Sequence, residues 1–204
     1  AARNRGAFGN EIVALATPHG VVAQDEGPRA TTSLEKLSAL PARFVEGGTI
    51  SAGNACPLND GASVVLVTTR ARAKAMGIHQ ALVFEEAATA GVDPNLLGIG
   101  PIASTRKLIT RRPDLAPGNA RFIEFNEAFA AQVLACLDAL TIDPARVNLE
   151  GGAIALGHPF GASGAVLVTR LFHQMKRAPG SLGLAMIGIG GGMGITAGFR
   201  FQAI

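Results

Sequence analysis

The sequence predicts an α/β fold in which a mixed sheet, built mainly by crossovers and ending in an antiparallel pair, follows an irregular segment. Three observations carry this expectation. From Gly61 onwards, short apolar runs alternate with helix-period stretches. The last two runs, Leu182 to Ile187 and Ile195 to Phe201, have a glycine cluster and no helix between them. Residues 1 to 58 show no such alternation. Strand–helix alternation is the pattern of a crossover-built sheet, whereas two strands joined by a tight glycine turn run antiparallel. With 204 residues, 48% of them hydrophobic and only 16% charged, the chain can bury a sizeable core.

The elements follow in order. Ala1 to Gly6 begins without a start methionine and reads as the tail of a helix, as though the chain enters mid-fold. Glu11 to Leu15 is a short strand candidate, followed by turn chemistry at Pro18-His-Gly20 and Asp25-Glu-Gly-Pro28. Thr32-Ser-Leu-Glu35 offers a capping-box start for a short helix, Ser33 to Leu40. Glycine and asparagine then punctuate a loop-rich stretch ending at Asn59-Asp60-Gly61, which is stable only on a larger scaffold. Ala62 to Thr68 reads as a buried strand, and Arg70 to Met76 as a helix stopped by Gly77. A second strand starts at Ala81 and runs towards Gly91. Helix Ile102 to Thr110, strand Phe122 to Phe125 and helix Glu127 to Leu140 come next. Gly151 to Gly157 is the fourth strand expected, and Gly164 to Lys176 the helix after it.

Composition narrows the function. Cys56 and Cys136 stand at unrelated positions, giving neither a disulfide framework nor a metal-ligand spacing, which fits a reducing, cytoplasmic setting. No apolar run approaches the roughly 18 residues of a membrane span, and no signal-peptide layout opens the chain. The net charge of +3 suits an anionic small ligand rather than nucleic acid, and without Trp or Tyr only Phe could stack on bases. The one dense basic cluster, Arg106-Lys107 with Arg111-Arg112, reads as a solvated helix face.

Three strand ends carry polar groups or bare backbone. Gly151-Gly-Ala-Ile-Ala-Leu-Gly-His158-Pro-Phe-Gly-Ala-Ser-Gly164 delivers a histidine just before a helix start. Ligands of α/β sheets bind at that edge. A helix N-terminus disfavours imidazolium, so His158 is expected to stay neutral and able to accept a proton. Asn126 follows a strand, where it either caps the next helix or leans towards His158 to hold a water or a carbonyl oxygen. Gly188-Ile-Gly-Gly-Gly-Met-Gly194 lacks the spacing of a dinucleotide loop, but can aim a backbone N–H at a developing oxyanion.

Together, Asn126-Glu-Ala-Phe129, the Gly151–Gly164 motif and Gly190-Gly-Gly-Met-Gly194 resemble the C-terminal motifs of thiolases, the acyl-CoA acetyltransferases. Gly53-Asn-Ala55, Asn59-Asp-Gly61 and Gly98-Ile-Gly-Pro101 extend the resemblance along nearly the whole chain. It implies that residues 1–58 are the latter part of a CoA-covering loop domain and residues 59–204 a complete βαβαβαββ C-terminal domain. It also implies that His158 and Asn126, the latter through a water, form one oxyanion hole, that His158 activates the acyl-accepting cysteine, and that Gly190 contributes a backbone N–H to a second hole. Coenzyme A would be a substrate, with no other cofactor and no metal. Arg29 would lie near its adenine-ribose end, Phe44, Ala52 and Cys56 along it, and Leu97 and Phe129 on the pantetheine and acyl tunnel.

Two departures shape the expectation. A thiolase is about twice this length, and its nucleophilic cysteine lies in an N-terminal half-domain that neither Cys56 nor Cys136 replaces. The family's second cysteine, which moves a proton at the α-carbon or the leaving thiol, corresponds to Gly188. Glycine has no side chain to do this, so Claisen condensation is impaired while acyl transfer survives. The leading reading is therefore the C-terminal part of an acyltransferase that cleaves or forms 3-ketoacyl-CoA once an N-terminal half is supplied. A noncatalytic subunit that binds acyl-CoA or a partner protein is the alternative, and a decarboxylating condensing enzyme a third. Every version expects oligomerisation, with the missing half or with itself, through a large apolar helical face.

Overall fold

The computed structural model describes residues 1–204. Up to Gly77 the chain forms small pieces. Strands β1 (Leu15–Thr17) and β2 (Gly20–Val22) pair as an exposed hairpin, so the strand expected at Glu11 to Leu15 falls a few residues later. Helix α1 spans Leu34–Ser38 and is capped by Ser33, whose hydroxyl accepts from the backbone N–H of Lys36 at 3.2 Å, rather than by Thr32. Helix α2 is Arg70–Ala75, capped in the same way by Thr69.

Between them, Ala62 to Thr68 is not a strand and is not buried. Val64, Leu66 and Val67 are 92%, 67% and 87% exposed, and the run makes no strand pairing. The residue types are those of a strand, but a strand needs a neighbouring edge to take its backbone hydrogen bonds.

The main sheet comprises β3 (Gln80–Gly91), β4 (Phe122–Phe125), β5 (Leu182–Ile189) and β6 (Met193–Ala203) in the order β3–β6–β5–β4. β6 runs antiparallel to both β3 and β5, and β4 is parallel to β5. A parallel bridge from Ile123 to Val147 adds a single residue beyond β4. With helices α3 (Gly100–Arg111), α4 (Ala130–Ala139), α5 (Ala153–Leu156) and α6 (Ser163–Met175), the βαβαβαββ succession is present. Its first strand is at Gln80 instead of Ala62, and its third is reduced to the bridge at Val147.

Alternation along the strands sorts the core onto two faces. Ile123, Phe125, Leu184 and Met186 pack with Leu108 of α3 and Cys136 and Leu137 of α4. Phe122, Ala185, Phe199 and Phe201 pack with Leu167, Leu171 and Met175 of α6. Burying each large side chain is worth about 1.5–3 kcal/mol, so these two clusters position everything at the sheet's rim. The start of α3 lies directly on the start of β6. A Cβ on Gly100 would enter the backbone of Met193 and Gly194, so both Gly100 and Gly194 are needed for the approach.

A buried charge cluster ties the first dozen residues to α6. Arg170 Nε donates to Glu124 Oε2 at 3.0 Å, Gln174 Nε2 donates to Glu124 Oε1 at 2.6 Å, and Arg170 Nη1 lies 3.3 Å from Glu11 Oε2. The Arg170 guanidinium also stacks over the Phe8 ring, 4.9 Å from its centroid. Two carboxylates of the cluster behave in opposite ways. Burial lifts Glu11 to about 7, because its one ion-pair partner, Arg170, is shared with Glu124 and the Glu150 and Glu124 carboxylates push the same way. Burial also acts on Glu150, but hydrogen bonds from Arg177 (2.7 Å) and Arg5 (3.2 Å) outweigh it and hold that carboxyl below its usual range.

The folded-state value of Glu11 lies above the ordinary 4.5, so its contribution is fully present below about pH 4.5 and is lost as the pH rises through about 7. Denaturant midpoints measured across that window are expected to fall for the native chain. Glu11→Gln is expected to flatten this part of the profile; an unchanged slope would remove Glu11 as its source.

Candidate active site

The site begins where β4 ends. The backbone N–H of Asn126 donates to Met186 O at 2.9 Å, so the ladder continues for one residue and Asn126 emerges 4% exposed at the sheet rim. Asn126 is not the cap of α4. That position belongs to Phe129, and residues 126–129 form a held loop. Asn148, in the left-handed region at φ 51°, clamps the end of β4. Its Oδ1 accepts from Phe125 N and its Nδ2 donates to Phe125 O, each at 2.8 Å. Glu127 then accepts from Asn148 Nδ2 at 2.6 Å and from the backbone N–H of Ile154 at 3.1 Å.

This last bond corrects the expected strand at Gly151 to Gly157. The carboxylate of Glu127 sits at the first turn of a helix, α5, a favourable place for negative charge. It also fills the space that a side chain at Gly152 would need. Gly157, at φ 110°, ends this turn and sends His158 out. His158 therefore arrives from a helical turn, not from a strand. Its backbone N–H donates to Asn59 Oδ1 at 2.8 Å, and the Asn59 amide leaves no room for a Cβ on Gly157.

Asn126 and His158 meet. Nδ2 of the amide lies 3.2 Å from Nε2 of the imidazole, and Nδ1 of the same ring lies 2.6 Å from Ser163 Oγ. Burial lowers the His158 pKa below 6.5, so the ring is neutral near pH 7. The direction matches the expectation, with burial as its cause in place of the helix end. The ring borders an open groove of about 360 Å³ lined by Leu58, Asn59, Asp60, His158 and Phe160, and a second groove of about 440 Å³ runs alongside, between Asn59–Ser63 and Pro159–Ala162.

Of the other residues singled out, the structure gathers some and leaves others apart. An isolated bridge pairs Ala55 with Phe129, Cys56 N donates to Ala128 O at 3.0 Å, and Phe44 sits edge-on to Phe129 at 6.0 Å. Cys56, Phe44 and Phe129 thus border the Asn126 loop. Arg29, Ala52 and Leu97 are exposed, and the Arg29 side chain makes no ion pair or hydrogen bond. Gly190 lies at the exposed tip joining β5 to β6. Cys136 is fully buried, and burial pushes its thiol up to about 11, as an inert core thiol requires. At Gly188, a Cβ would stand 3.3 Å from Gly98 O, an oxygen already held by Gln132 Nε2 at 2.9 Å.

Sequence reasoning did not single out four residues that build the site: Asn59, Glu127, Asn148 and Ser163. Three lie inside motifs already quoted, and for Glu127 and Ser163 adjacency to Asn126 and His158 was the available signal. Asn148 had none, since its role depends on a left-handed backbone and a tertiary contact with β4.

Residues 78–200 match the family model described as the thiolase C-terminal domain, and residues 1–71 match that of the thiolase N-terminal domain. The chain belongs to the thiolase family. An acetyl-CoA acetyltransferase of Pseudomonas aeruginosa is 44% identical over 201 residues, covering 96% of this chain and 51% of that protein. The crystal structure of the Bacillus anthracis acetyl-CoA acetyltransferase superposes with a TM-score of 0.89 at 37% identity, covering 100% of this chain and 52% of that one. A human mitochondrial 3-ketoacyl-CoA thiolase in complex with CoA gives 0.86 at 32% identity, with 98% and 50% covered. The chain thus spans about half the length of the relatives it matches. The two thiolase models meet between residues 71 and 78, which puts the exposed Val64–Val67 run on the N-terminal side.

Proposed function

We propose that this thiolase chain is the C-terminal part of an acyl-CoA acyltransferase, active when an N-terminal half brings a nucleophilic cysteine to the His158 groove. The observation that carries the proposal is the 3.2 Å approach of Asn126 to His158 beside an open groove. Neutral His158 takes the thiol proton at Nε2, and the thiolate adds to the thioester carbon of acyl-CoA. The carbonyl oxygen becomes an oxyanion, held by His158 and by a water on Asn126, while the backbone N–H of Gly190 serves a second hole. Collapse expels the CoA thiolate, which takes the proton back from the imidazolium. Atoms and charge balance, and the acyl group ends on the cysteine.

Coenzyme A enters as a substrate, with no resident cofactor. The reading places Arg29 near its adenine-ribose end, and Phe44, Ala52, Cys56, Leu97 and Phe129 along the pantetheine and acyl group. The N-terminal half, supplied by another chain or by more of this one, covers Val64, Leu66 and Val67 as a neighbouring strand, so the working form is an oligomer or a longer chain. Two free cysteines suit a reducing, cytoplasmic setting. Gly188 favours a second reading, a noncatalytic subunit that binds acyl-CoA or a partner protein, because no side chain there can move a proton at the α-carbon.

Mixing the chain with the N-terminal half of the Pseudomonas aeruginosa relative and adding acetyl-CoA separates the two. The expected result is a stable complex whose added half is acetylated on cysteine, detected by intact mass, with no adduct on either half alone. A complex without adduct would support the noncatalytic subunit. Val64→Lys with Leu66→Lys, two positions on one strand face, should abolish complex formation, since buried lysines are not tolerated there without partners; undiminished binding would move the interface elsewhere.

A further inference from the structure

The Gly161-Ala-Ser-Gly164 part of the histidine motif has no role in the chemistry above, yet its serine touches the imidazole more closely than any other group. Ser163 is the first residue of α6 and 3% exposed. Its Oγ lies 2.6 Å from His158 Nδ1 on one side, and donates its hydrogen to Pro159 O at 2.9 Å on the other. On the far edge of the ring, Nε2 faces the Nδ2 amide of Asn126, a donor, at 3.2 Å.

We infer that Ser163 is a positioning residue that sets the tautomer of His158, holding the proton on Nδ1 and leaving Nε2, beside Asn126, unprotonated for the reaction. The donors and acceptors admit this order along the whole chain of contacts. Ser163 Oγ gives its only hydrogen to Pro159 O, so towards the ring it can only accept, which puts the ring hydrogen on Nδ1; the bare Nε2 then accepts from the amide of Asn126. Because Oγ accepts from Nδ1–H in both the neutral and the cationic ring, a proton arrives and leaves only at Nε2, the nitrogen beside Asn126. Proline at position 159 and the tight first turn of α6 place the accepting carbonyl, and the Asn59 bond to His158 N fixes the start of the same loop. The importance of this arrangement for catalysis rests on the acyl-transfer reading, but the tautomer itself does not.

Nitrogen-15 NMR of the imidazole in the 204-residue chain, above the pKa of His158, reads the tautomer directly. The expected spectrum shows Nδ1 protonated and Nε2 bare in the native chain, and loss of that preference in Ser163→Ala with a further fall in the His158 pKa. Ser163→Thr, which keeps the hydroxyl, should restore both. Nε2–H as the native form, or an unchanged tautomer in Ser163→Ala, would overturn the assignment. Acetylation of the reconstituted pair is scored separately: a correct tautomer without acetylation counts against the acyl-transfer reading alone.

Discussion

His158→Ala is expected to slow acetylation of the reconstituted pair by about 10²–10⁴-fold, the usual worth of a positioned general base. In the proposed reaction the loss combines two functions in one ring, since the same Nε2 would first take the thiol proton and then, as N–H, face the oxyanion. The fold should survive the change. The side chain is only half-buried, borders the groove and belongs to neither core cluster, while the loop around it is held through backbone and through Asn59. A matching pH profile is expected in the native pair. Burial depresses the His158 pKa below 6.5, so the rate should fall only as the pH drops through that lowered value. Pre-steady-state acetylation followed by mass spectrometry checks both effects. A rate within about threefold of native for His158→Ala would remove the imidazole from the chemistry, whatever the tautomer measurements show.

Much of this site was legible because its polar groups lie inside short, glycine-rich motifs. Asn126 and His158, 32 positions apart in sequence, are paired in space because Asn126 follows core-bound β4 and His158 precedes core-bound α6, and the apolar pattern of β4 and the helix pattern of α6 are both strong. What was illegible is what depends on a partner. The Ala62 to Thr68 run has strand residues, but strand formation needs a partner edge, and the run pairs with no strand of this chain. Gly151 to Gly157 fails differently. Its small apolar residues fit strand or helix equally well, and the decision was made by a carboxylate 27 residues away, Glu127, at the start of α5. Periodicity cannot register such a contact.

The chain also carries a structural commitment that composition concealed, and it sets the second large effect. Arg170→Met is expected to cost about 3–5 kcal/mol of folding stability, the usual consequence of removing one partner from a buried ion pair. The guanidinium is 5% exposed and stands among Glu124, Glu11 and Glu150, whose side chains are 1%, 8% and 4% exposed. Methionine matches much of the aliphatic stem but neutralises nothing. Glu124 keeps only its bond from Gln174, and Glu11 keeps no cation within ion-pair reach. The pattern of failure distinguishes charge from packing. If lost charge dominates, Arg170→Met combined with Glu124→Gln should recover part of the deficit, giving a coupling well beyond the roughly 0.5 kcal/mol of independent sites. If lost packing over Phe8 dominates, the two substitutions should simply add. Denaturant midpoints for the four members of the cycle decide it, and the Arg170→Met deficit should grow with pH as Glu11 gives up its proton. Thus α6, whose N-terminal residue Ser163 orders the imidazole, also anchors the N-terminal residues of the chain through Arg170, so loosening that anchor should disturb the ring at the other end of the same helix.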